Sequence, residues 1–331
     1  MSRINTPERK ILRATDISVY SHIISEFEAS LKAENLATST YNNYRGYFIL
    51  FCAWCKRYKD SIAMEVVDIP VIHDFIEYLT ETEHLRPNTV NAYLASISKM
   101  FEYIRDETLS KKMLPDLTVD SYLPRVPSPT EVGRMIQACP DLLSKLFIVI
   151  LVSTGLRISE AIALKFSDIL TSEHQIHVSP SKSRRERLVP LNDTAIQLLK
   201  EYCLAYNSKH PYNKLKPTDY VFFNEDRTGP LKGDKMRRIF NKVQKLAGLE
   251  EKHFTPHGCR HFFALQYYLQ SHDILLIKRL LGHKSLAATE IYLILAASIE
   301  AQERYVNPLD VAMNKLAGDK SKSDAKSEVK A

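Results

Sequence analysis

His257, Arg260 and His261 stand within five residues in "TPHGCRHFF", and His283 and Tyr292 follow in "LGHKSLAATEIYLI". Histidines at i and i+4 share a helix face and can bind zinc. A structural zinc site wants four ligands, however, and no acidic or thiol partner lies at a familiar spacing, Cys259 falling off the shared face. Arg260, between the two, would also repel a dication. An arginine fork, imidazole donors and a helix beginning just after Pro256 favour an anion, and phosphate above all.

Two further stretches carry charge in suggestive settings. In "STGLRISEAIAL", Arg157 and Glu160 are three apart and therefore neighbours on a helix surface. Alone they would be an exposed ion pair of little consequence. The preceding Thr154-Gly155 turn nevertheless offers a way to hold a guanidinium rigidly at the end of a buried helix. In "SPSKSRRERLVPL", Lys182, Arg184, Arg185 and Arg187 surround a hairpin turn, which is either solvated or turned towards a polyanion. Tyr292 is one of 17 tyrosines, so packing is its default reading and only its surroundings argue otherwise.

The elements that must position these groups follow from patterning. At 331 residues the chain is long enough for two domains. Its 45% hydrophobic and 25% charged residues are those of an ordinary globular protein, and a net charge of +6 leans towards an anionic partner. The longest apolar run, "LFIVILV" (146–152), is far short of the roughly 20 residues a bilayer span needs and reads as a buried helix. The opening "MSRINTPERKILRATD" has no apolar signal core, so a cytoplasmic protein without membrane partners is expected. Five scattered cysteines argue against a disulfide framework, and Cys52 and Cys55 sit in a helical apolar pattern that points to core packing.

Residues 1–16 read as an arm and 17–110 as helical, with Val19, Ile23, Ile24, Phe27 and Leu31 on one stripe. Two helix entries repeat the pattern T-x-N-x-Y, at Thr40–Tyr44 and Thr89–Tyr93. Their hydroxyls and amides could cap a helix or touch phosphate, which makes Thr40, Tyr44, Thr89 and Tyr93 candidate phosphate contacts. Residues 111–127 read as a proline-punctuated linker ending where Ser128 or Thr130 caps the next helix. From 128 to 310 the pattern is mixed. Helices are expected over 130–139, 141–153, 157–166 and 193–206, and strands over 174–179, 186–191 and 219–223, with helices thereafter. "KGDKMRRIFNKVQK" puts Lys235, Arg237 and Arg238 on a helix that is either solvated or part of a duplex groove. The polar tail, 311–331, reads as disordered.

Taken in order, Arg157 in "TGLRISE", Lys182 in a strand-flanked turn before "RLVPL", "HGCRH", "LGH" and a tyrosine nine residues on resemble the tyrosine recombinase (phage integrase) family. The resemblance extends to the helical half, which is similar to the family's core-binding domain. It implies a mainly α fold with a small antiparallel β-sheet in the C-terminal domain, two domains forming a DNA clamp, and catalysis without metal or other cofactor. The catalytic positions it implies are Arg157, Lys182, His257, Arg260, His283 and Tyr292. Departures are Ser181 and Ser183, where glycines are usual, and Cys259 and Phe262, where leucine and threonine are usual.

The chemistry implied is attack of Tyr292 on a DNA phosphodiester, giving a 3′-phosphotyrosine and a free 5′-hydroxyl. A phenol of pKa about 10 costs about 4 kcal/mol to ionise at pH 7, so a base is expected, with His257 the candidate. Arg157 and Arg260 would bind the non-bridging oxygens, Lys182 protonate the leaving 5′-oxygen and His283 donate to the phosphate. Glu160 and His261 would orient the arginines and imidazoles. Arg184, Arg185 and Arg187, with the helix at 232–245, would grip duplex DNA. The partners implied are a specific DNA site and further copies of the chain, a tetramer on two sites, with a second recombinase or accessory DNA-binding protein as another. The job would be Xer-type dimer resolution, or integration, excision or resolution of a mobile element. A type IB-like topoisomerase is the alternative.

Overall fold

The computed structural model describes residues 7–105, 114, 117–118, 123–179 and 186–304. The chain divides into two compact units, Met1–Tyr122 and Leu123–Ala331. Residues 111–113, 115–116 and 119–122 of the expected linker lie outside the described residues.

The N-terminal unit holds α1 (Pro7–Ala14), α2 (Ser21–Ala33), α3 (Thr38–Tyr58), α4 (Ile69–Glu77) and α5 (Pro87–Arg105). Its core is aromatic: Trp54 packs on Phe75 at a ring-centroid distance of 5.1 Å, and Phe27 meets Phe48 edge-on at 4.9 Å. Such pairs add to burial because the ring edge and face carry opposite partial charge. Cys52 and Cys55 are buried in this core, and burial pushes the Cys55 thiol up to about 12, so both act as small apolar groups. The arm expected at 1–16 is not wholly unstructured. It forms α1, because Leu12 is buried and Arg9 donates to the Tyr93 hydroxyl. Glu83 is buried beside Tyr78 and accepts the Tyr78 hydroxyl's hydrogen bond at 2.8 Å.

The C-terminal unit is built on α7 (Leu142–Thr154), apolar nearly all round, with α6 (Pro129–Gln137) before it and α8 (Ile158–Ala163) after it. Of the two candidate caps, Ser128 is the one used: Glu131 N–H donates to its Oγ at 3.3 Å while its own N–H donates to Glu131 Oε2 at 2.8 Å. Strands β1 (Ile169–Leu170), β2 (Gln175–Val178) and β3 (Arg187–Pro190) form one antiparallel sheet in that order, with Ile176 opposite Val189. Five helices complete the unit: α9 (Asp193–Lys209), α10 (Gly233–Leu246), α11 (Pro256–Ser271), α12 (Ile274–Leu281) and α13 (Ala287–Arg304). No described helix is long and apolar enough to cross a membrane.

The strand expected at 219–223 is not part of this sheet. Tyr220 bridges only Lys165, and Phe223 only Pro230. Val221 and Phe222 are both fully buried, so the segment lacks the alternation of a half-exposed strand and threads the core instead. The third strand is the two-residue β1, too short to announce itself by period. The helix expected at 157–166 is likewise shortened to α8, and a single 3₁₀ turn, Phe166–Asp168, leads into the sheet.

Helix α7 ends at Gly155, whose φ of +62° is left-handed and whose built Cβ would lie 2.4 Å from Phe263 Cδ1. Strain and overpacking therefore act together, and Gly155→Ala should lower stability by roughly 2 to 4 kcal/mol. The shift in urea midpoint measures it.

Candidate active site

The site is assembled around helix ends. The last carbonyls of a helix lack partners within it and carry partial negative charge, so they attract guanidinium groups. Arg260, on α11, is 0% exposed and donates from Nη1 to the Gly155 carbonyl at 2.8 Å and from Nη2 to the Leu281 carbonyl at 2.6 Å. Two helix termini, of α7 and α12, thus hold one arginine. Both chains turn away through left-handed glycines, Gly155 and Gly282. Burial and the neighbouring Arg157 press the Arg260 pKa down, though not far enough to discharge a guanidinium at neutral pH.

Arg157 caps the start of α8. Its backbone N–H donates to Glu160 Oε2 at 2.9 Å, and its Nη1 to Glu160 Oε1 at 3.1 Å and to the Leu281 carbonyl at 3.3 Å. Glu160 is also gripped by Arg187, through Nη1 at 3.2 Å and Nη2 at 2.8 Å, while Arg187 Nε donates to the Leu280 carbonyl at 2.7 Å. Burial alone would raise the Glu160 pKa, but the hydrogen bonds from Arg187 and the Arg157 backbone hold it at about 2.

Arg187 is a correction to the sequence reading. Expected among the hairpin basics facing DNA, its side chain is 8% exposed and turned inward. The signal was in the strand period, since Arg187 shares a face of β3 with buried Val189.

Tyr292, on α13, is 1% exposed, and its hydroxyl lies 3.0 Å from His261 Nδ1. Burial pushes its pKa up to about 12, against the pull of the Arg260 and Arg157 charges. His261 is held down at about 4 by burial first, then by His257 and Arg260. The imidazole is therefore neutral, and in the tautomer that carries its proton on Nε2 it accepts a hydrogen bond from the phenol. His257, proposed from sequence as the base, stacks edge-on to His261 at 4.5 Å, but the hydrogen-bond partner of the Tyr292 hydroxyl among the described residues is His261. His283 shares its Nδ1 with the buried Thr289 hydroxyl at 2.9 Å and is held at about 4 by burial, Arg260 and Arg157. The His257 pKa is lowered by burial and the same arginines. Three guanidiniums against one carboxylate leave a positive cluster that keeps its histidines neutral. An anion would be welcome there.

Arg157, Glu160, His257, Arg260, His261, His283 and Tyr292 are thus gathered from α8, α11, α13 and the turn after α12. Lys182, Arg184 and Arg185 lie outside the described residues. Lys235 pairs with Glu225 and Arg237 with Asp234 on the exposed face of α10. In the N-terminal unit Thr40 and Tyr44 are half-buried, and Thr89 lines a cavity of about 880 Å³ together with Arg13, Arg45, Arg86 and Asn42. Tyr93 lines the same cavity, but its side chain is 1% exposed and its hydroxyl accepts from Arg9, so it is a core residue rather than a surface contact.

Residues 126–298 match the phage integrase family, and residues 20–119 match the phage integrase SAM-like domain. The chain belongs to the phage integrase family of DNA strand-transferring enzymes. It is 27% identical over 288 residues to the tyrosine recombinase XerD of Rickettsia bellii, covering 81% of this chain and 92% of that one. Against the tyrosine recombinase XerC of Thermodesulfovibrio yellowstonii it is 30% identical over 218 residues, 62% of this chain and 70% of the other. The pre-cleavage complex of the XerH site-specific recombinase with its difH substrate has a similar fold, with a TM-score of 0.61 at 25% identity over 83% of this chain and 84% of that one. A lambda integrase dimer bound to a core site matches with a TM-score of 0.60 at 20% identity over 82% and 94%. The mainly helical architecture with one small antiparallel sheet is therefore the family's.

Glu160 supplies stability that is whole above its ordinary pKa of 4.5 and is lost as the pH falls towards 2, because the depressed value belongs to the folded state. Its ionic partners make that contribution on the order of 3 kcal/mol. Glu160→Gln should be less stable than the parent by that amount at neutral pH, with the gap closing between pH 4.5 and 2 in acid unfolding.

Proposed function

We propose that the protein is a site-specific DNA recombinase that cleaves and rejoins DNA through a 3′-phosphotyrosine at Tyr292. The observation that carries this is the tyrosine's placement: its hydroxyl lies beside His261 and within the influence of Arg157 and Arg260. Nothing in packing or simple DNA binding requires a buried phenol among guanidiniums. Arg157 and Arg260 would neutralise the charge that builds on the non-bridging oxygens, already oriented and at no cost in reorganisation. The buried Arg260 Nε, without a hydrogen-bond partner among the described residues, is a donor that a phosphate oxygen would take. His257 and His283 would add imidazole donors to the phosphate. Lys182 would protonate the departing 5′-oxygen, a role that rests on the resemblance. The bond energy is kept in the phosphotyrosyl ester, so neither ATP nor a metal enters this scheme.

The relatives' DNA complexes support duplex DNA as the substrate and further copies of the chain as partners, a homotetramer holding two sites. Thr40, Tyr44 and Thr89 in the N-terminal unit, Arg184 and Arg185 in the hairpin, and Lys235, Arg237 and Arg238 on α10 would contact phosphates. Likeness to the Xer recombinases supports resolution of DNA multimers, or integration and excision of a mobile element by the same chemistry.

A duplex selected by binding from a randomised pool provides the substrate. On that duplex, nicked beside the scissile phosphate, the protein should form covalent adducts and Tyr292→Phe none, with site binding unchanged; adducts surviving in Tyr292→Phe would refute the assignment. Arg260→Ala should slow adduct formation roughly 100- to 1000-fold. Relaxation of supercoiled plasmid without any selected site would instead mark a topoisomerase.

A further inference from the structure

We infer that His261, rather than His257, serves the nucleophile: it holds the Tyr292 hydroxyl by accepting its hydrogen bond and takes its proton as the bond to phosphorus forms. The inference rests on Tyr292 being the nucleophile, as proposed above.

The geometry is specific. His261 lies one residue beyond Arg260 on α11, so the helix that delivers a phosphate-binding guanidinium also delivers an acceptor to the tyrosine. The 3.0 Å contact uses Nδ1, and a neutral imidazole that accepts there carries its ring proton on Nε2. His257 lies one helical turn earlier and meets His261 edge-on, ring to ring. Tyr292 itself is buried, so bulk water is a poor acceptor for its proton.

At rest the phenol and the imidazole share the hydrogen without transferring it. As Tyr292 Oη bonds to phosphorus, the hydroxyl becomes strongly acidic and its proton passes to His261 Nδ1. The bond from phosphorus to the 5′-oxygen breaks, and that oxygen leaves as a hydroxyl with a proton from the general acid assigned to Lys182. In rejoining, the 5′-hydroxyl attacks and gives its proton back to the general acid assigned to Lys182, the phosphotyrosyl bond breaks, and the His261 imidazolium returns the proton to Tyr292. Protons and electron pairs balance in both directions, and the developing negative charge on the phosphate stabilises the imidazolium while it exists.

The test uses single-turnover adduct formation by the full chain on the nicked, selected duplex. His261→Ala should lose about 100-fold or more, the usual range for a general base, while binding the duplex as tightly as the parent. His261→Asn can place an amide oxygen near the position of Nδ1, restoring an acceptor without basicity, and should fall between Ala and the parent. On a duplex whose scissile 5′-oxygen is replaced by sulphur, a leaving group that needs no protonation, the His261→Ala loss should persist while that of Lys182→Ala is relieved. If His261→Ala fails to bind, His261→Phe, which keeps the ring's bulk without an acceptor, is read in its place. A parent-like rate within threefold, equal losses in Ala and Asn, or disappearance of the loss on the sulphur duplex would each overturn the inference. Adducts in Tyr292→Phe would instead sink the underlying assignment, so the two failures are distinguishable.

Discussion

The grip of Glu160 and of the α12 carbonyls on three arginines is the interaction on which the site depends. Arg157, Arg187 and Arg260 come from the start of a helix, a strand and a helix interior, far apart in sequence. Like charges brought this close would separate if they faced only one another. Glu160 binds Arg187 through both oxygens and Arg157 through its side chain and its backbone, while the Leu280 carbonyl accepts from Arg187 and the Leu281 carbonyl from both Arg157 and Arg260. These acceptors are the orphaned carbonyls at a helix end, which the left-handed turn at Gly282 leaves open to the site. The result is a rigid positive surface whose donors are aimed before a substrate arrives.

That arrangement has consequences for the titrating groups around it. Each histidine of the site is pushed towards neutrality by burial and by the same arginines, so the imidazoles can act as hydrogen-bond partners without adding charge. Tyr292 experiences the two effects in opposition, since burial raises its pKa and the arginines lower it. A free phenolate is therefore not the resting state, and as the proposed nucleophile Tyr292 would have to develop its nucleophilicity during the reaction. Stability and function pull together in Glu160: the same hydrogen bonds that anchor the carboxylate orient the guanidiniums.

Much of this was legible in the residues themselves. The helical half follows from patterning, since helix periodicity and cap residues are local signals, while Arg157, His257, Arg260, His283 and Tyr292 were singled out by the resemblance of their order to the family's motifs. The sheet was legible only in part. Its two longer strands alternate visibly, while the two-residue β1 has no period and the doubly buried segment at 221–222 imitates a strand. Arg187 was misplaced because a basic residue beside a basic turn reads as solvent-facing, whereas strand register turns it to the Glu160 carboxylate. Tyr93 was misplaced for the converse reason: a tyrosine nearly two turns into a helix is as able to fill a core as to meet a phosphate.

The amino-acid sequence by itself determined which groups are present, their order and the helices that carry them, because these depend on local propensity, capping and hydrophobic period. It could not say which imidazole meets the tyrosine. His257 and His261 are four apart on one helix and chemically identical, so local rules treat them as equals. Only the packing of α13 against α11 decides between them, and it places the Tyr292 hydroxyl on His261 Nδ1. That choice depends on long-range contacts, the part of a fold that residue types and spacing do not encode locally.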